Sequence, residues 1–196
     1  MANSAKPIIK FNKPETDDQK IAAAHLIVQS IPEFYDFFSL ECGELLTQIS
    51  SEFFSGRSEI SSTECMICNS DVVAIVSTLP ARKLRIAQMY SVMNLLSLVK
   101  KDVERVKVRL KQHSDLVQPI SDDSFYLSRI AVAAEHRGKG FGNAALRHFI
   151  DLGSGYRKLS LHVNVKNSVA ISMYKGIGFE FDNAGGWNYA LMTKAN

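Results

Sequence analysis

Between Arg137 and Gly142 the chain reads Arg-Gly-Lys-Gly-Phe-Gly, three glycines at alternate positions with two cations among them, and the apolar, β-prone run Phe125–Val132 leads into it. A strand that feeds a glycine-rich turn at the start of a helix gathers unpaired backbone amides and the positive end of a helix dipole at one point. The chemistry suited to such a point is anion binding, phosphate above all, because glycines let a bulky oxyanion reach the main chain. Spacing narrows which phosphate. A Walker loop needs Ser or Thr after its Gly-Lys, and here Gly138-Lys139 is followed by Gly140. A dinucleotide fingerprint needs G-x-G-x-x-G and an acidic residue about twenty positions on. The chain offers G-x-G-x-G and, at that distance, the strand-like stretch 159–163. Neither pattern fits.

What remains is R-x-x-G-x-G, formed by Arg137, Gly138, Lys139, Gly140, Phe141 and Gly142 and preceded at short range by Ile130-Ala131-Val132. This resembles the pyrophosphate loop of the GCN5-related N-acetyltransferase (GNAT) superfamily. The likeness continues downstream in the right order. A strand, Lys158–Val163, is followed by Asn167-x-x-Ala170-x-x-x-Tyr174 and a closing Gly178-Phe179, so that about 125–179 resembles the family's second half. The N-terminal half matches only in its order of elements.

The resemblance implies acetyl-CoA as cosubstrate and no metal. Main-chain amides from Arg137 to Gly142, with Asn143, would hold the pyrophosphate. The segment Ile130-Ala131-Val132 would lie along pantetheine, Ile130 and Val132 pairing with it as an added strand does, and the Val132 amide would face the thioester oxygen. Asn167 and Tyr174 lie about two helical turns apart, so they share a face if a helix starts near Asn167. In the family the Asn position contacts the cofactor arm and the Tyr protonates the departing thiolate. His162 alternates away from Leu161 and Val163 and is the first candidate for the base that deprotonates the amine, with Asp122, Asp123, Glu135 or a water as rivals. Arg129 reads either as part of this site or as a surface charge.

These residues need elements to position them. Ile8–Phe11 reads as a first strand. Pro14 to Asp18 suits the cap of a helix running to Ser30, which Pro32 ends. Phe34, Phe38, Leu45, Ile49 and Phe53 recur at helical spacing and predict one second amphipathic helix that Gly56 terminates. Glu64–Asn69 and Val72–Leu79 predict a hairpin around Asn69-Ser70-Asp71. The stretch from Pro80 to Pro119 is too long for a plain loop and predicts one or two helices inserted before the motif strand. Within it, 100–111 reads as a solvated helix face or, alternatively, a lid over the acceptor. A strand at Phe179–Asp182, a turn at Gly185-Gly186 and a strand at 187–193 close the chain. The expected fold is therefore α/β (α+β): a GNAT-like mixed, mostly antiparallel central sheet flanked by helices, with a helical insertion at about 81–118 in one domain, 1–196. By the resemblance, that sheet splays between the motif strand and the next.

Composition sets limits. With 196 residues, 46% hydrophobic and 22% charged, the chain is long enough for one cored domain of ordinary soluble character. A net charge of +3 without a run of Lys and Arg interleaved with aromatics argues against nucleic acid. Cys65-Met66-Ile67-Cys68 has C-x-x-C spacing but no second ligand pair, so Cys42, Cys65 and Cys68 read as structural thiols. No apolar signal core opens the chain, and no stretch is long enough to span a bilayer, so a cytoplasmic location is expected. The main functional reading is an acetyl-CoA-dependent N-acetyltransferase acting on a primary amine, of a small molecule or a protein, by direct attack in a ternary complex. The alternatives are a noncatalytic acyl-CoA-binding sensor and a helix-rich interaction domain. A homodimer is compatible with both enzyme and sensor.

Overall fold

The computed structural model describes residues 9–182 and 186–196. Its strands are β1 (Ile9–Asn12), β2 (Thr63–Cys68), β3 (Asp71–Pro80), β4 (Phe125–Val132), β5 (Lys158–Asn164), β6 (Glu180–Phe181) and β7 (Tyr189–Ala195). They form one sheet in the order β1-β2-β3-β4-β5-β7-β6. Only β4 and β5 run parallel; every other neighbouring pair is antiparallel. The helices are α1 (Asp17–Ser30), α2 (Pro32–Tyr35), α3 (Cys42–Glu52), α4 (Ala81–Leu98), α5 (Val103–Ser114), α6 (Phe141–Leu152) and α7 (Ser168–Gly176).

Alternation along the strands divides the core into two faces. On β3, Ile75 joins α1 and α3 residues such as Ala24, Ile27 and Ile49, whereas Ala74 and Val76 join Leu146 and Phe149 of α6 and Tyr174 of α7. Burial on both faces is why β3 reads as a nearly continuous apolar run. Helix α1 starts where its sequence says: Thr16 Oγ1 accepts from the Gln19 N–H at 3.2 Å, and the Gln19 side chain accepts in return from the Thr16 N–H. Cys65 and Cys68, three apart on β2, fall in different core clusters, so one ion cannot be chelated by both. Among the described residues there is no cluster of metal ligands, and no helix is long and apolar enough to cross a membrane.

The β2–β3 hairpin turns on Asn69 (φ 50°) and Ser70 (φ 74°), both left-handed. That pair of angles is what a two-residue hairpin needs, and Ser at the second position bears a steric cost that Gly avoids. Ser70→Gly is therefore expected to stabilise the fold by about 1 kcal/mol, read as a higher urea midpoint; an unchanged or lower midpoint would show that this turn is not strained.

Three expectations are corrected. The aromatic stripe 34–53 is not one helix. α2 tightens into a 3₁₀ turn at Asp36–Phe38, Ser39 turns left-handed at φ 50°, and α3 begins afresh at Cys42. Phe38, Leu45, Ile49 and Phe53 still share one core; two short helices meeting at a corner converge on it as well as one long helix would, and spacing alone does not separate the two. Arg129 is no surface charge: its side chain is 9% exposed and pairs with Glu59 at 2.6 Å. The strand expected at Phe179–Asp182 shortens to Glu180–Phe181. Ile8 and Gly185 lie outside the described residues.

Candidate active site

The site begins at a fault in the sheet. β4 and β5 are paired only from Phe125–Leu159 to Leu127–Leu161. The next residue, Ser128, is a bulge: Leu127 lies opposite Thr78 and Arg129 opposite Ser77, so Ser128 has no partner on β3. A bulge bends its strand and increases its twist, and here it coincides with the point where β4 leaves β5. The bulge is braced from below. Ser128 Oγ donates to Glu59 Oε2 at 2.8 Å, Arg129 bonds Glu59 Oε1 at 2.6 Å, and Arg129 also donates to the Ser128 carbonyl at 2.8 Å. Burial opposes the Arg129 charge, but the Glu59 carboxylate, with Tyr35 and Tyr126, holds its pKa above the ordinary value.

Beyond the bulge β4 has a free edge. The Ala133 N–H bonds the Val73 carbonyl at 2.9 Å. By the alternation of an antiparallel ladder, Ile130 and Val132 then occupy non-hydrogen-bonded positions opposite Val76 and Ala74 and turn their N–H and C=O groups into the gap. Ala131 turns its main chain toward β3 instead. Arg137 Nε donates to the Val132 carbonyl at 3.2 Å, tying the following turn to this edge.

That turn has the form the glycines imply. Gly138 and Gly140 have φ of 74° and 85°, Gly140 is the N-cap of α6, and a Cβ on either would stand in open space. From Gly138 to Asn143 no main-chain N–H has a hydrogen-bond partner among the described residues; the first such bond runs from Ala144 to Gly140. The turn thus presents a row of free donors at a helix N-terminus.

The free edge, the turn and α7 enclose one end of a cavity of about 1590 Å³, which is more than a single small ligand needs. Ile130, Ala131, Val132, Arg137, Gly138, Gly140, Phe141, Gly142, Asn143, Asn167 and Tyr174 all line it; Lys139 does not. Asn167 is the N-cap of α7, its Oδ1 accepting from the Ala170 N–H at 3.0 Å. Tyr174 is 5% exposed, and its hydroxyl has no hydrogen-bond partner among the described residues. Burial raises its pKa to about 12, so it stays protonated at any working pH.

At the other end, His162 is engaged through both nitrogens. Nε2 lies 2.6 Å from the Gln118 carbonyl, which makes Nε2 the protonated atom, and Nδ1 accepts from the Tyr126 hydroxyl at 2.9 Å. The lone pair of His162 therefore meets the cavity through Tyr126. Asp122, Asp123 and Glu135 do not line the cavity. The sequence reading missed Glu33, Glu59, His113, Tyr126 and Tyr189, which do line it; they come from five separate stretches of chain with no shared motif. α4 contributes Leu84, Gln88 and Val92, and the last turns of α5 contribute Leu110, Lys111 and His113. The inserted helices thus wall this end, while the outer face of α5 is solvated.

Burial lowers the pKa of His162, partly offset by Gln118, and lowers that of His113, offset by Glu33 and deepened by Arg129. A histidine held neutral when folded takes up its proton more readily unfolded, so it stabilises the fold above the ordinary value of 6.5 and less as pH falls toward the depressed folded value. The melting temperature is expected to fall between about pH 7 and pH 5, and to fall less in His162→Gln; equal slopes in the two proteins would remove His162 from this account.

Residues 108–179 match the acetyltransferase (GNAT) family. The family match covers that segment and not the whole chain. Among solved structures it is similar to an N-acetyltransferase from Staphylococcus aureus Mu50 at 17% identity, over 95% of this chain and 98% of that one, with a TM-score of 0.65. It is also similar to the ribosomal-protein-S18-alanine N-acetyltransferase of Escherichia coli (17% identity, 97% and 94% coverage, TM-score 0.52). A third likeness is to the PaiA N-acetyltransferase of Thermoplasma acidophilum in complex with coenzyme A (15%, 96% and 99%, 0.53). At these identities the likeness is one of fold. No curated protein matches the sequence.

Proposed function

We propose that the protein is an acetyl-CoA-dependent N-acetyltransferase, one catalytic domain over 1–196, that acts in the cytoplasm and moves an acetyl group to a primary amine by direct attack in a ternary complex. The observation that carries this is the joined cavity, with free main-chain donors and the Tyr174 hydroxyl at one end and a separately walled chamber at the other. The residues fit the cosubstrate: the glycine turn is open where a Cβ would intrude, and the β4 edge facing β5 is unpaired beyond Leu127, the length that pantetheine would follow. Acetyl-CoA supplies the activated thioester. The Gly138–Asn143 amides hold its pyrophosphate, and the Ile130 and Val132 main chains align its arm.

The Val132 N–H donates to the thioester oxygen as negative charge builds there. As the amine nitrogen bonds to the acetyl carbon, its proton passes to the Tyr126 oxygen while the Tyr126 hydroxyl hands its own proton to His162 Nδ1, so the charge ends on the imidazole. The carbon–sulfur bond breaks, and Tyr174 gives its proton to the sulfur. A phenol with raised pKa gives that proton only as thiolate charge develops, which keeps the acid loaded until needed. Tyr126→Phe and His162→Gln should each lower kcat most at low pH and recover partly as rising pH deprotonates the amine in solution. Profiles parallel to wild type would hand the base role to an ordered water. The reading as a whole is tested by thiol release from acetyl-CoA over a panel of amines. Release that depends on an amine is expected; CoA binding without any release would make the protein a sensor, and no CoA binding would overturn both.

A further inference from the structure

Glu33, in α2, is held from one side only. Tyr189 Oη donates to its Oε1, and Asn164 Nδ2 lies 3.4 Å from the same oxygen, while Oε2 has no partner among the described residues. The side chain is half-buried and forms part of the cavity wall, and Oε2 is not among the sealed-off polar atoms. Burial by itself would raise the Glu33 carboxyl, but hydrogen bonds from Tyr189, its own main chain and Asn164, with a smaller contribution from His113 when that ring is charged, hold it below the usual range, so it is ionised at neutral pH.

No Lys or Arg of the described residues forms an ion pair with Glu33. Arg129 is paired with Glu59 and Lys111 with Asp115, each at 2.6 Å. His113, neutral by burial, offers a ring: its centroid lies 6.0 Å from that of Phe34 and 5.0 Å from that of Tyr189, and all three side chains line the cavity. A half-buried carboxylate without a counter-charge is costly, and one oxygen left free beside aromatic faces is the arrangement that binds an alkylammonium group. Asn164 stands two residues beyond His162 on the same face of β5, which places this point about 7 Å along the strand from the Tyr126–His162 pair.

We infer that Glu33, with Phe34, His113 and Tyr189, forms a subsite for a second, non-reacting ammonium group of the acceptor, so that the acceptor is a linear diamine or longer polycationic amine. The assignment of this end of the cavity to the acceptor rests on the acetyl-transfer reading; the cation subsite itself is tested by binding. Calorimetry compares pentane-1,5-diamine, pentylamine and 5-aminopentanoate, with and without CoA, on wild type and on Glu33→Gln, which keeps an acceptor for Tyr189. Wild type is expected to bind the diamine about tenfold more tightly than pentylamine and 5-aminopentanoate most weakly, and Glu33→Gln to lose the first difference. Equal affinities in wild type, no diamine binding, or a preference that survives in Glu33→Gln would each overturn the subsite. The wild-type comparison decides the matter even if the variant fails to fold. Thiol release measured on the same samples separates the two readings: a diamine that binds through Glu33 yet is never acetylated sinks acetyl transfer and leaves the subsite standing.

Discussion

Tyr174→Phe is expected to lower kcat by about 100- to 1,000-fold while the KM for acetyl-CoA stays close to wild type. The substitution keeps the ring, which packs in the core near Phe179 at a centroid distance of 6.3 Å, and deletes only the hydroxyl. That hydroxyl has no partner among the described residues, so its loss orphans nothing and the melting temperature should scarcely move. A group that gives its proton only as the sulfur departs contributes to the transition state and not to ground-state binding, so the loss belongs in kcat. Raising the pH should not rescue the variant, since it supplies no proton to the thiolate. If kcat stays within about twofold, Tyr174 is a packing residue and the thiolate leaves unassisted.

Gly140→Val is expected to weaken acetyl-CoA binding by about 100-fold or more, the loss of more than one charge-assisted hydrogen bond at the turn. Beyond its chain neighbours no described residue stands within 4 Å of a Cβ placed there, so the side chain would occupy the space the phosphates need. With φ at 85°, however, the substitution also strains the backbone by about 1–2 kcal/mol. Gly56→Val supplies the control: its φ is 69°, its Cβ would also meet nothing, and it lies outside the cavity lining. The two variants should lose similar stability by urea denaturation, and only Gly140→Val should lose binding by calorimetry. Parallel affinities in both would remove the glycine turn from cofactor binding.

How much of this was legible beforehand follows the distance over which each signal is written. The motif strand, the glycine turn, α6 and α7 are local: an apolar run, positive-φ glycines and an N-cap Asn each act within a few residues, and the structure has them where their residue types require. The Asn69-Ser70 turn is local too, since each residue adopts its own φ. The stripe 34–53 marks the limit of such reading, because its period is compatible with one helix or with two meeting at Ser39. Arg129 marks another. A lone Arg on a strand reads as surface, and only Glu59, seventy residues earlier, makes its burial tolerable.

By itself, then, the sequence determined the glycine-turn end of the cavity: which strand leads to the turn, which residues lack a Cβ there, and that Tyr174 lies on the helix that Asn167 caps. It also determined that two helices, or one, precede the motif strand. Tertiary structure alone decided the other end. The bulge at Ser128 exists only relative to β3, the split only relative to β5, and the Tyr126–His162 contact joins residues 36 apart. Glu33 meets Asn164 and Tyr189 across 131 and 156 residues. Backbone conformation answers to neighbouring residue types, whereas a chamber wall is assembled from whichever side chains packing brings together, and no spacing in the chain records that.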